Sequence, residues 1–352
     1  MAMLADLVEV VIGVDTHTDT HTAAVVDAHT GAVLARGTIT ADPDGYEQII
    51  ALAGQHSGLR AWAMEGSGGY GAGLARHLAD LGEMVVELDR PVRPKRWAGA
   101  KSDPIDAERA ARDALARTRL ARPKTGPERA ALAMHLTARR AAVEASADAQ
   151  RQLHALVVTA PEAVRARFRG KPTIQMVQVA ARLRPSVARG DADVVAAVTV
   201  LHALARRIRF LTREARVHEN AILTLVRSWR ADLLELPGVG PIIAATVLTA
   251  WSHPGRCRDD AAFAMLAGAA PIPASSGRTI RHRLNRSGDR QLNRALHTIA
   301  LSRLRYDPVT RTYAERRRAE GRTDREIKRC LKRYIARQIY RQLEHPPALD
   351  PA

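Results

Sequence analysis

The sequence predicts an α/β domain at the amino end of the chain and a mostly α-helical remainder. In the first third, short apolar segments rich in β-branched residues alternate with segments of helical period. Beyond that, long segments of helical period run without Pro or Gly. At 352 residues the chain is long for one domain, and we expect three, at residues 1–125, 126–230 and 231–345.

The charge balance indicates a polyanionic partner. Lys and Arg number 54 against 37 Asp and Glu, a net charge of +17, and most of the cations are Arg. Genomic base composition could explain Arg in place of Lys but not the excess over carboxylates, so we expect nucleic-acid binding.

A membrane location is not expected. No uninterrupted apolar run reaches the roughly 18 residues of a membrane span. The amino-terminal segment lacks the pattern of a signal peptide. The two cysteines, Cys257 and Cys330, lie far apart without metal-ligand spacing, which fits a reducing cytosol.

The elements of the first domain follow one another in a recognisable order. We expect strands at 8–15, twice within 21–40 around a hairpin at "AHTGA", at 59–66 and at 83–89, with helices at 42–56 and 72–82. Three strands in a meander and then alternating helix and strand is the order of a ribonuclease-H-like, or RuvC-like, fold. Such a domain needs one more helix that brings an acid to the strand ends, and "SDPIDAERAARDAL" is placed to form it.

The chain beyond the first domain is predicted to be mostly helical. Residues 127–158 and 194–229 predict a pair of long antiparallel helices with a helical insertion between them, and whether the pair forms a coiled coil stays open because its apolar positions are mostly Ala and Leu. "PGVGP" resembles a helix-hairpin-helix turn, in which Gly238 and Gly240 would let backbone N–H groups approach a phosphate. Residues 325–343 predict a basic amphipathic helix.

Four acids are placed to meet at one end of the predicted sheet. Asp15 ends the first strand, Glu65 follows the apolar "AWAM" and is therefore expected to be buried or nearly so, and Asp103 and Asp106 share one face of a helix. Carboxylates collected in this way hold the Mg²⁺ ions, typically two, that neutralise a scissile phosphate.

Structural roles compete with this interpretation. Asp103 before Pro104 also suits a helix cap, and Asp106 also suits the helix dipole. His17 and His21 in "DTHTDTH" could be metal ligands, but we expect them on the surface.

Several motifs resemble those of one family. "GVDTHTDTHTAAVVD", "MEGSGGYG" and "KSDPIDAERAAR" are similar to the RuvC-like domain of the DEDD insertion-sequence transposases. "LPGVGPIIAATVLTA", "FAMLAGAAPIPASSG" and "LNRSGDRQLNRAL" are similar to the carboxy-terminal transposase domain of that family, and the order is the family's. The middle is matched only by its helical character.

The resemblance implies a recombinase guided by an element-encoded bridge RNA that pairs with donor and target DNA. It implies that Asp15, Glu65, Asp103 and Asp106 bind metal, and that a serine of "ASSG", Ser276 or alternatively Ser275, attacks DNA to form a covalent intermediate. It also implies a homo-oligomer, dimer to tetramer, with shared active sites, located in the bacterial cytoplasm with the nucleoid. The arginines after the serines fit phosphate contacts, although a solvated basic face is the alternative; they are Arg278, Arg281, Arg283, Arg286 and Arg290.

Two other functions are compatible with the residues. A RuvC-like junction resolvase would use the four acids with water as the nucleophile and would not need Ser276. A non-catalytic nucleic-acid-binding protein would use "PGVGP" and the arginines, and would not need the acids.

Overall fold

The computed structural model describes residues 3–88, 103–275 and 282–346. The chain divides into two compact units, Met1–Thr125 and Gly126–Ala352. Each unit has its own hydrophobic core.

The first unit is an α/β domain around a five-stranded sheet, as expected. Its strands lie in the order β3-β2-β1-β4-β5; β2 runs antiparallel to β1 and β3, and β4 runs parallel to β1 and β5. This order is consistent with a ribonuclease-H-like domain. The elements are β1 (Val10–Thr16), β2 (Thr20–Asp27), β3 (Val33–Thr40), α1 (Pro43–Gly54), β4 (Arg60–Glu65), α2 (Ala72–Asp80), β5 (Met84–Leu88) and α3 (Asp103–Ala116).

Alternation along the strands divides the sheet into two faces. One face carries Val11, Ala61 and Ala63 and packs against the small side chains of α3, which are Ala107, Ala110, Ala111 and Ala114. The other face carries Ile12, Trp62 and Met64 and packs against α1 and α2 through Ile49, Leu74 and Leu78. Because the side chains on both of these surfaces are small, α3 lies close to the sheet.

The second unit begins with two long antiparallel helices, α4 (Pro127–Thr159) and α7 (Ala192–Arg230). The start of α4 meets the end of α7, where Leu132 and Val226 share a core, and at the other end Leu153 packs with Leu201. Between the two lie the short helices α5 (Glu162–Arg165) and α6 (Thr173–Ala181). The helical insertion that the sequence predicts is therefore present.

In the residues that the structure describes, the rest of the second unit consists of helices and one short hairpin. Its elements are α8 (Pro241–Trp251), α9 (Asp260–Leu266), β6 (Pro271–Pro273), β7 (His282–Leu284), α10 (Arg290–Tyr306), α11 (Pro308–Ala319) and α12 (Asp324–Glu344). The β6–β7 hairpin was not anticipated, because three-residue strands containing two prolines give no alternating apolar pattern. In the part of the chain that the structure describes, none of the helices combines the length and the apolar character that crossing a membrane requires.

Candidate functional site

Asp15 lies near the carboxyl end of β1, on the sheet face that α3 covers. Val11 of the same strand belongs to the core beneath α3, and alternation places Gly13 and Asp15 on that face as well. A Cβ atom at Gly13 would lie 2.0 Å from the carbonyl oxygen of Ala107, so α3 crosses β1 almost in contact with its backbone. The same crossing brings the first turn of α3 towards Asp15.

Glu65 lies beside Asp15 at the end of the neighbouring strand. The register pairs Val14 with Met64, and the Thr16 hydroxyl donates to the Glu65 carbonyl oxygen at 3.1 Å. Ala61 and Ala63 face α3, so alternation places Glu65 on the same face as Asp15. The expectation that Glu65 is buried was wrong: it is exposed, because β4 ends there and the chain turns away at Gly66, whose φ is +77°.

Asp103 and Asp106 both lie in the first turn of α3. They are on the exposed side of the helix, while Ala107 and Ala110 face the sheet. Asp106 forms an ion pair with Arg109, whose Nη1 lies 2.9 Å from Oδ1. A helix start of this kind favours negative charge, so the helix-dipole explanation of Asp106 is compatible with the structure.

His17 joins the acids at the same spot. Its Nε2 lies 3.2 Å from Asp15 Oδ2 and 3.6 Å from Asp103 Oδ1, and one ligand atom of each of these three residues lies within 4.8 Å of the others. The side chain is half exposed, so His17 lies on the surface, and its imidazole contacts two of the acids. The sequence indicated that His17 could lie beside Asp15, because side chains two positions apart at a strand end point to the same side.

His21 does not belong to this group, and its expected surface position was wrong. It is fully buried, stacked on Tyr46 with ring centroids 6.0 Å apart. It lies in β2 on the side of the sheet that α1 covers, and Tyr46 of α1 closes over it.

The electrostatics of the group are those of crowded carboxylates. Burial raises the pKa of Asp15 above its ordinary value, His17 partly opposes this, and the negative charges of Asp106 and Asp103 raise it further. Like charges held together in this way are stabilised by a cation placed between them. The group therefore offers oxygen ligands and one imidazole nitrogen to a divalent ion.

The carboxy-terminal candidates surround the β6–β7 hairpin. Ser275 is exposed two residues after β6. Arg283 lies in β7, Arg286 follows it and Arg290 begins α10, and all three are exposed. Ser276, Arg278 and Arg281 lie outside the described residues.

The glycines of "PGVGP" differ in their surroundings. The turn lies between a short 3-10 helix at Ala231–Glu235 and the start of α8 at Pro241. Gly238 has a φ of +80°, and a Cβ there would lie 3.2 Å from the Cβ of Ser302 on α10, so packing alone accounts for this glycine. No atom of the residues that the structure describes lies within 4 Å of a Cβ built at Gly240, so among them that face of the turn is open to a ligand.

Comparisons with known proteins agree with the fold and the acidic group. Residues 12–160 match the model of the IS110 DEDD family, described as a transposase, and residues 230–315 match that of the transposase IS116/IS110/IS902 family. An uncharacterised 42 kDa protein of insertion element IS900 from Mycobacterium paratuberculosis is 33% identical over 165 residues, which cover 44% of this chain and 40% of that protein. An uncharacterised 43.6 kDa protein of insertion element IS110 from Streptomyces coelicolor is 34% identical over 127 residues, 35% of this chain and 31% of that protein. The chain thus matches less than half the length of each of these relatives.

The sheet order and the acids at its end are consistent with a DEDD-type α/β domain. With one family model matched by this domain and a second by the carboxy-terminal part, the matches together cover more than half of the chain. The chain belongs to the IS110-type family of DEDD insertion-sequence transposases.

Proposed function

We propose that the protein cleaves and exchanges DNA strands for an insertion sequence, with Asp15, Glu65, Asp103 and Asp106 holding two divalent metal ions. The observation that supports this most is the arrangement of the acids: the ends of β1 and β4 and the first turn of α3 bring all four to one end of the sheet. A structural need for these acids there is not evident, because burial raises the pKa of Asp15 and the negative charges of Asp106 and Asp103 raise it further, so the site disfavours the charged form of Asp15.

The residues fit Mg²⁺. Carboxylate oxygens are the ligands that this cation prefers, and the exposure of Glu65 and Asp103 and the partial exposure of Asp106 leave room for water and for phosphate oxygens beside it. When bound, the ions would neutralise charge at the scissile phosphate and orient the attacking and leaving oxygens. His17 is a candidate additional ligand, and Arg109 would hold one oxygen of Asp106 in place.

The nucleophile that we propose is the Ser276 hydroxyl, with Ser275 as the alternative. Its Oγ would form a bond to the scissile phosphorus while the bond from phosphorus to the leaving strand oxygen breaks. The hydroxyl proton would pass to a base, and the leaving oxygen would take up a proton. The phosphoserine conserves the energy of the broken bond, so attack by a hydroxyl of another strand could rejoin DNA and release the serine.

The partners follow from charge and family. The net charge of +17 and the exposed Arg283, Arg286 and Arg290 support binding to nucleic-acid phosphates. Family membership supports donor and target DNA, a bridge RNA that selects them, and a homo-oligomer with shared active sites. These partners would place the protein in the cytoplasm with the nucleoid. The proposal also divides the protein into three domains, at residues 1–125, 126–230 and 231–345.

A junction resolvase is the second candidate function. It would need the acidic group at the end of the sheet, of which Asp15 and Asp103 lie close together with His17, but it would not need Ser276. In that case water would be the nucleophile, and no DNA would become attached to the protein. Under the third candidate, a non-catalytic nucleic-acid-binding protein, replacing the acids would leave biological activity unchanged.

The test is strand cleavage by Glu65→Gln, with Glu47→Gln as the control. Both changes remove one exposed carboxylate from the first unit, but Glu47 lies on α1, away from the acids. We expect Glu65→Gln to lose Mg²⁺-dependent cleavage of DNA carrying the element ends, in the presence of RNA co-purified from the host, while nucleic-acid binding is kept because it depends on Arg and backbone contacts. Recombination by Glu65→Gln at the wild-type rate would contradict the metal-site proposal.

A further inference from the structure

A cavity of about 440 Å³ lies between the β6–β7 hairpin and α12, within the second unit. Residues from Gly268 to Pro271 and from His282 to Asn285 line one side. The other side is lined by Arg329, Cys330, Lys332, Arg333, Tyr334 and Arg337 of α12. Its volume falls in the range of roughly 300–1,000 Å³ that is common for sites of small ligands.

The charged side chains that line the cavity are all cationic. They are Arg283, Arg329, Lys332, Arg333 and Arg337, and none of the lining side chains among the described residues is acidic. Asp260, just outside the lining, pairs with two of them. Its Oδ2 accepts from Arg337 Nε at 2.6 Å, its Oδ1 lies 3.7 Å from Arg333 Nη2, and its backbone carbonyl oxygen accepts from Arg333 Nη1 at 3.1 Å. The cavity therefore carries an excess of positive charge that would attract an anion.

Lys332 is the most informative of these cations because it is partly buried beside a neutral partner. Its ammonium donates to Asn293 Oδ1 at 2.6 Å. Burial lowers the pKa of Lys332, which means that the surroundings of the ammonium group do not fully compensate for the water it has lost. Asn293 is itself held in place, because its amide group donates to the carbonyl oxygens of Ala267 and Gly268. An anion in the cavity would supply a negative charge beside the ammonium group of Lys332.

The remaining surface of the cavity is apolar and carries one aromatic ring. Ala269, Ala270 and Leu284 contribute methyl groups from the hairpin side. Tyr334 contributes its ring from α12 and is 55% exposed, with its orientation fixed by an edge-to-face contact with Tyr313. An exposed ring beside cations is how proteins hold an unstacked base next to its phosphate.

We infer that this cavity binds one unstacked nucleotide of a single-stranded nucleic-acid segment, with the phosphate at Lys332 and its neighbouring arginines and the base against Tyr334. A duplex would not present a free base face to Tyr334, and inorganic phosphate would leave the apolar side uncovered. The inference rests on the proposed function for the presence of single-stranded substrate. It assigns to the second unit a nucleic-acid contact made by the β6–β7 hairpin and α12.

The test measures binding of the full-length protein to fluorescent 12-residue oligothymidylate, without any cleavage step. We expect Lys332→Met to weaken binding about tenfold and to lower the salt slope by about 0.7. Tyr334→Leu, which changes no charge, should also weaken binding about tenfold, because stacking on an aromatic ring is lost. The controls are Lys328→Met, one turn earlier on α12, and Tyr306→Leu, an exposed tyrosine on α10; neither residue lines the cavity, and both variants should bind like the wild type.

Two comparisons decide the nature of the ligand. Binding to a 12-base-pair duplex should be nearly the same for Lys332→Met and Lys328→Met, and inorganic phosphate should compete with the oligonucleotide much less well than thymidine monophosphate. Equal binding of the single strand by cavity and control variants, equal losses on single strand and duplex, or equal competition by phosphate would each overturn the inference. Because cleavage is not measured, loss of the proposed catalytic function would leave this result unaffected.

Discussion

Gly13 lies so close to Ala107 that a Cβ on Gly13 would be 2.0 Å from the Ala107 carbonyl oxygen. The neighbouring Ala111 backbone nitrogen would be 2.6 Å away, so neither contact can be relieved by a side-chain rotation. The glycine therefore sets the height of α3 above β1, and with it the separation between Asp15 and the acids in the first turn of α3.

We expect Gly13→Ala to lower the free energy of unfolding by about 3 kcal/mol, because the added methyl group displaces α3 from the sheet. The same displacement moves Asp103 and Asp106 from Asp15 and should weaken Mn²⁺ binding. Chemical denaturation and calorimetric titration measure the two effects. Gly68→Ala is the control, since its Cβ would meet no atom of the described part of the chain within 4 Å. A stability of Gly13→Ala equal to that of this control would show that the contact is absent.

His17→Ala tests whether the imidazole is a metal ligand. Nitrogen ligands favour Mn²⁺ and Co²⁺ over Mg²⁺, so we expect the variant to lose about tenfold or more in Mn²⁺ affinity and much less in Mg²⁺ affinity. His29→Ala is a suitable control, because His29 is an exposed histidine 3.8 Å from Glu9 and follows Asp27, which pairs with Val10 at the end of β1 opposite Asp15. A Mn²⁺ affinity that stays the same or rises would mean that His17 only pairs with the acids.

The serine step predicts a covalent product. Reactions of the wild type that are stopped with denaturant should contain DNA attached to a peptide that includes Ser275 and Ser276, identified by mass spectrometry. Ser276→Ala should give no adduct and no cleavage, because water would be poorly placed to substitute for the hydroxyl. Adduct in Ser276→Ala but not in Ser275→Ala would move the assignment to Ser275. Cleavage by the double variant would favour the resolvase function.

The pH dependence of stability should include a contribution from Glu83. Hydrogen bonds from Arg60 and Trp62 lower the pKa of Glu83 below its ordinary value. The carboxylate therefore stabilises the fold above that ordinary value, and this contribution is lost as the pH falls through the lowered pKa. Glu83→Gln should be less stable at neutral pH and lose less stability on acidification, measured by denaturation from pH 6 to about pH 3. Identical pH profiles for variant and wild type would contradict this, and the exposed Glu47→Gln should match the wild type.

Much of the first unit could be predicted because its central strands are short apolar runs rich in β-branched residues, bounded by turn residues. The apolar runs around Val10–Val14 and Ala61–Met64 and the turn residues between elements predicted five strands in the succession along the chain that the structure has. Asp15 and Glu65 were predicted to lie together on the same grounds, since parallel strands end at one edge.

Other features depend on contacts between different elements, which the pattern of apolar and polar residues in the sequence does not encode. The exposure of Glu65 follows from a left-handed turn at Gly66, and the burial of His21 follows from Tyr46 of a different element. His17 lies on the surface as expected, but its contact with Asp103 was not predicted, because the position of Asp103 relative to β1 is fixed by the small side chains of α3 and by Gly13 rather than by spacing. The cavity beside α12 could not be foreseen, because it is formed by a hairpin whose strands lack an alternating pattern.

The most direct measurement compares strand cleavage by Asp106→Asn and Asp113→Asn. Both aspartates lie on α3, each forms an ion pair with an Arg one turn later, and each side chain is 31% exposed, so the two changes are closely matched in their structural cost. Only Asp106 lies in the first turn, with the other acids. We expect Asp113→Asn to cleave DNA at nearly the wild-type rate and Asp106→Asn to be slower by orders of magnitude, with both proteins folded and binding DNA. Equal cleavage by the two variants would contradict a metal-binding role for the acids of α3 and leave Asp106 as a helix-dipole residue.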